Sequence, residues 1–150
     1  MRSSSPGGNG LRWDCEVKGC FNRIKRPRIE MLAQYLHAGG ATGCQFGDID
    51  AITERHGRFL IVEWKPARSE WRGGQRYAIE ALVNASDAFT VFVVVGDPAT
   101  MTVTHAMPYT QANQYPSWHD LDLEGLGRWI TAWARRANAC PKPARPPLLT

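Results

Sequence analysis

A turn signal at His56-Gly57, set between two β-type runs, constrains this chain more than any other feature. If the chain reverses there, Arg55 faces Arg58, and every pair of facing residues has numbers that total 113. That register opposes Asp50 to Glu63 and Asp48 to Lys65. Directly opposed side chains of an antiparallel pair lie roughly 4.5–5.5 Å apart at Cβ and share one face. The two-residue period of a strand independently puts Asp48 with Asp50, and Glu63 with Lys65, on one side. The runs carrying these charges otherwise read as buried strand, so three carboxylates and an ammonium are expected to meet on one patch of a hydrophobic sheet. Half-buried carboxylates repel and desolvate one another unless a cation joins them. A divalent metal is the economical explanation. Asp48 has a plainer role open to it, as the ion-pair partner of Lys65. A β-bulge that shifted the register would instead make it the metal-binding aspartate.

Asp50, a thirteen-residue step to Glu63, and then Trp64-Lys65 form a D…E-x-K pattern at the end of an apolar strand. Gly74-Gln75-Arg76 follows, with Gln75 ten residues past the lysine at the start of a helical pattern. Together these residues resemble the PD-(D/E)XK nuclease superfamily, nearest its VRR-type and Holliday-junction-resolvase-like branches. The likeness covers residues 26–107. The proline of the short motif is absent, Ile49 standing before Asp50. The resemblance implies a Mg²⁺- or Mn²⁺-dependent deoxyribonuclease of phage or prophage type, acting on DNA in recombination, repair or processing. Asp50, Glu63 and the Trp64 backbone carbonyl would hold the metal, Glu30 from the preceding helix and Asp48 being further candidates. Lys65 would orient the attacking water or stabilise charge on the phosphoryl group, and Gln75 would bond the water or a phosphate. The alternative is a catalytically idle module of the same fold that binds nucleic acid or assembles with DNA-processing proteins.

Along the rest of the chain, Pro27 suits the first position of a helix in which Ile29, Leu32, Ala33 and Leu36 recur at helical spacing, stopped by Gly39-Gly40. After the hairpin, Pro66 ends the strand and residues 66–74 read as a polar loop. Gln75 to Ala85 has helical periodicity, and the unbroken apolar run Phe89–Val95 suits a strand covered on both faces. Met101–Met107 alternates as a half-exposed strand, residues 108–120 read as loop, and Leu123 to Ala137 describes an amphipathic helix. This order predicts an α/β fold with a restriction-endonuclease-like core, a mixed central sheet of about four strands flanked by helices. A flexible lead-in (1–10), one nuclease-like domain (11–140) and a Pro-rich tail (141–150) complete the expected organisation.

The net charge of +4 is compatible with a polyanionic partner without requiring one. Lys25, Arg26 and Arg28, and beyond the hairpin Arg68, Arg72 and Arg76, are the candidate DNA contacts, although such charges are commonly just solvated. The aromatics Trp71, Tyr109, Tyr115 and Trp118 fall in expected loops, where they either pin the loop or stack on bases, pinning being the commoner use. Trp129 and Trp133 on the last helix suit core filling or a homodimer interface, and branched DNA would call for such a dimer. His105 and His119 read as isolated. The four cysteines fit no common zinc spacing and read as free thiols. The chain lacks a run of about 18 apolar residues, so no membrane span is expected. Without a secretory h-region at the N-terminus, a cytoplasmic setting is expected.

Overall fold

The structure is a computed structural model that describes residues 31–140. By its contacts the chain divides into two compact units, Met1–Asp48 and Ile49–Thr150. Among the described residues of the first is one short helix, α1 (Ala33–Ala38). It ends at the glycine pair the sequence marks: Gly39 caps it and Gly40 takes φ of 92°, a left-handed conformation open to glycine. Ala33 is buried but Leu32 is exposed, so only part of the expected apolar face is covered. Pro27 and Ile29 lie outside the described residues.

The second unit is an α/β sheet structure. Its elements are β1 (Ala51–Arg55), β2 (Arg58–Lys65), a 3₁₀ turn (Arg68–Glu70), α2 (Gly73–Ala85), β3 (Phe89–Asp97), β4 (Thr102–Tyr109), β5 (His119–Asp120) and α3 (Leu123–Ala139). The five strands lie in sequence order, with β2 and β3 parallel and every other pair antiparallel. The sheet thus has five strands where about four were expected. The extra one, β5, falls in the segment read as loop, and β4 runs two residues further than expected. No described helix is long and apolar enough to cross a membrane.

Two helices are placed on the two faces of this sheet by strand parity. Ile61, Val91, Val93, Met107 and Tyr109 pack with Ile79 and Val83 of α2. Leu60, Phe92, Val94 and Ala106 pack with Leu126 of α3, joined by the partly buried Trp129 and Trp133. The two tryptophans therefore fill the core. Val91, Val93 and Val94 have no exposed surface, as a central strand covered on both sides requires. Parity breaks once, where a bulge at Val95/Gly96 moves Val103 to the α3 face. Gly96 is required there: a Cβ would lie 1.9 Å from the Thr102 carbonyl oxygen.

The hairpin register is as expected, with Arg55 opposite Arg58 and Ala51 opposite Val62. Positive φ at His56 (52°) and Gly57 (80°) makes the two-residue turn whose twist matches that of paired strands. Arg55 donates to Asn138 Oδ1 and Arg58 to the Cys140 carbonyl, tying the hairpin tip to the end of α3. One expectation fails: β1 is not a buried strand but is exposed at all five positions. It is the edge of the sheet, and its Ile52 is exposed.

Candidate metal and phosphate site

The register delivers Asp50 and Glu63 to one end of the hairpin, just before β1 begins. Glu63 is the one charged side chain in the buried core of the described residues, 1% exposed. Its Oε1 accepts the Asp50 backbone N–H at 3.1 Å and its Oε2 accepts from Gln75 Nε2 at 2.7 Å. Asp50 Oδ2 in turn accepts the Trp64 backbone N–H at 2.7 Å. In an extended strand the N–H and C=O of one residue point to the same side. The Trp64 carbonyl is therefore directed to the Asp50 side of β2, beyond the end of β1.

Lys65 follows two residues after Glu63, on the same face, and donates to Gln75 Oε1. Gln75 is the third residue of α2 rather than its first, since the helix begins at Gly73 with φ of 69°. From there one amide bridges both neighbours, its oxygen accepting from the ammonium and its nitrogen donating to the carboxylate. An amide does both at once without charge, through two separate atoms. The Lys65 Nζ also lies 6.0 Å from the centre of the Trp71 ring. Trp71 is buried and held by a 3.0 Å bond from its Nε1 to the Tyr109 hydroxyl. These two aromatics pin the fold, and Trp71 borders Lys65, a neighbourhood the sequence did not indicate.

Other candidates are less closely gathered. No three His, Cys, Asp or Glu side chains among the described residues are grouped to hold a metal. Asp48 is exposed, and the paired residues of the hairpin run from Ala51 opposite Val62 to Arg55 opposite Arg58. Arg68, Arg72 and Arg76 are exposed beside the site. Arg76 is tied to Glu80 at 2.9 Å, a bond that raises the guanidinium pKa above its ordinary value. Glu30, Lys25, Arg26 and Arg28 lie outside the described residues, as do Cys15 and Cys20. Cys44 and Cys140 are free thiols. His105 is not isolated, because β5 brings Asp120 Oδ1 to within 3.0 Å of its Nε2.

The oxygen set suits a hard cation. Mg²⁺ is commonly held by one or two carboxylates and keeps several waters. Asp50 and Glu63 supply two carboxylates and Trp64 a carbonyl. Both Glu63 oxygens accept hydrogen bonds, and a carboxylate has about four lone-pair sites in all. No protein-family model, curated protein or solved structure matches this chain.

Proposed function

We propose that this chain is a Mg²⁺- or Mn²⁺-dependent nuclease that hydrolyses DNA phosphodiester bonds, on the pattern of the PD-(D/E)XK enzymes it resembles. One observation supports the reading above others. A carboxylate buried to 1% at the end of a central strand is opposed by Asp50 and linked through Gln75 to Lys65. A network buried for stability alone would be expected to neutralise itself more simply, since isolated buried charge is costly.

Asp50, Glu63 and the Trp64 carbonyl would hold the ion. When bound, such an ion offsets phosphate charge and makes its water more acidic. Lys65 carries the mobile positive charge of the site, placed to orient an attacking water or to pair with charge that builds on the phosphoryl oxygens. Gln75 fixes the directions of Lys65 and Glu63 at once. Asp50, through its bond to the Trp64 N–H, keeps the strand end aligned with the carboxylates. A role in phage or bacterial DNA recombination, repair or processing follows the same resemblance.

The test is cleavage by the full chain and its Lys65→Ala variant. Single-stranded, duplex, flapped and four-way-junction DNA would be incubated with Mg²⁺, Mn²⁺ or EDTA. Cutting that both EDTA and the substitution abolish bears the proposal out. Metal binding with no cutting of any substrate would turn the reading to a binding module. Loss of metal binding as well would remove the site.

A further inference from the structure

Beside Lys65 the chain opens a second feature. Ala67, then Arg68 and Ser69 of the 3₁₀ turn, together with Trp118, line a shallow, open cleft of about 540 Å³. Trp118 is half-buried and packs against the hydrophobic cluster that includes Trp71 and Tyr109, which holds its indole in place.

The segment bearing Trp118 is fixed at both ends. Before it, Gln111 and Gln114 each donate to Asn84 of α2 at 3.1 Å, and after it His119 pairs with Ala106 in the sheet. A stacking surface held in place in advance loses little entropy when a partner binds. Across the cleft are a guanidinium and a hydroxyl, the groups that meet phosphate oxygens. Arg68 is three residues from Lys65, so its Cα lies within about 11 Å of the lysine's by chain length alone.

We infer that this cleft holds an unpaired nucleotide next to the scissile phosphate, its base stacked on Trp118 and its phosphate on Arg68 and Ser69. This rests on the nuclease reading above and adds to it a substrate class: DNA with a single-stranded stretch at the cut site, in preference to continuous duplex. A base inside a duplex has both faces occupied by its neighbours, whereas an unpaired base presents one to the indole.

The experiment measures binding apart from cleavage. A fluorescein-labelled single-stranded 20-mer, and the same sequence as duplex, would be titrated by anisotropy with the full chain in EDTA. Trp118→Leu, Trp118→Phe and Arg68→Gln would be compared, with thermal melting to establish that each folds. Trp118→Leu is expected to weaken single-strand binding by about tenfold, the effect of losing one base–aromatic stack. Trp118→Phe should keep most of it, Arg68→Gln should weaken it severalfold, and duplex binding should hardly change. Arg68→Gln is on an exposed side chain and keeps the test open if Trp118→Leu fails to fold. Equal losses on both DNA forms, unchanged single-strand binding, or no single-strand binding by the parent chain would overturn the inference. Cleavage reports separately: single-strand binding through Trp118 with no cutting defeats the nuclease reading alone. Cutting of DNA with a single-stranded stretch that the Trp118 and Arg68 substitutions leave unchanged defeats the inference alone.

Discussion

Gln75→Glu is the substitution that interrogates the site most sharply. It preserves shape and leaves an oxygen to accept from Lys65, but it removes the donor that lies 2.7 Å from Glu63 Oε2. Two carboxylates at that separation cannot both stay ionised cheaply: about 4 kcal/mol of repulsion acts at 4 Å even with an effective dielectric constant near 20. The variant has one escape. If the new carboxyl is protonated, its O–H donates to Glu63 as the amide did, and the wild-type arrangement returns. Holding a carboxyl of ordinary pKa near 4.3 neutral at pH 7 costs about 3.7 kcal/mol, which sets a ceiling on the destabilisation. The pair's folded-state pKa is thus raised above the unfolded value. Parent-like stability is then present below about pH 4.3 and is lost as pH rises through the folded-state value, by at most about 1.4 kcal/mol per unit. The assay is thermal and urea unfolding of parent and variant in EDTA between pH 4 and 8. Lys65, donating to the new carboxylate, offsets part of this repulsion, so a gap of about 1–2 kcal/mol at pH 7, or about 4–8 °C in Tm, should close near pH 4. Parallel curves, with a gap that does not depend on pH, would refute the assignment of Gln75 as the donor to a buried carboxylate.

Other substitutions probe the metal set and the frame around it. Mn²⁺ should raise the Tm of the parent chain, by the equivalent of about 2.7 kcal/mol at a hundredfold excess over Kd. Calorimetry of Asp50→Asn and Glu63→Gln should show that rise abolished. Lys65→Ala should keep the Mn²⁺-induced rise while losing at least about a hundredfold in cleavage rate, which separates positioning of charge from metal binding. Gly96→Ala should lower stability by about 3 kcal/mol or more in urea unfolding, because the new Cβ meets backbone at the Thr102 carbonyl rather than a side chain that can move. Asp122→Ala should cost about 1 kcal/mol by the same measurement, since Asp122 caps α3 by accepting the Gly125 N–H at 2.9 Å.

What the sequence revealed was local, and what it concealed was distant. The Asp50–Glu63 opposition could be derived because one turn dipeptide and a two-residue period determine it. The helix after the hairpin and the apolar run Phe89–Val95 were legible for the same reason, each pattern lying within its own segment, although the strand continues to Asp97. β5 was not, because its two residues have no period and exist as a strand only through His105 and Ala106 of β4. The exposure of β1 was misread because apolar content says nothing of which layer comes to cover a strand. The partnership of Trp71 with Tyr109 joins residues 38 apart in the chain, and no spacing rule announces it. Gln75 was marked by resemblance, but its two hydrogen bonds, one accepted from Lys65 and one donated to Glu63, depend on where α2 is laid over the sheet.

Strand parity has a consequence for how such a chain can change over generations. Glu63 and Lys65 share the α2 side of β2 with Ile61, while Leu60, Val62 and Trp64 serve the α3 side. Losing a single codon between Arg58 and Val62 would exchange the two sets, driving a carboxylate and an ammonium towards Phe92 and Leu126 and turning Trp64 to the α2 side. Losing two would shorten the strand yet leave every remaining side chain on its own side. Within β2, tolerated length changes should therefore come in pairs, while the 3₁₀ turn and the segment from Thr110 to Trp118, bound by no such alternation, can vary by any number.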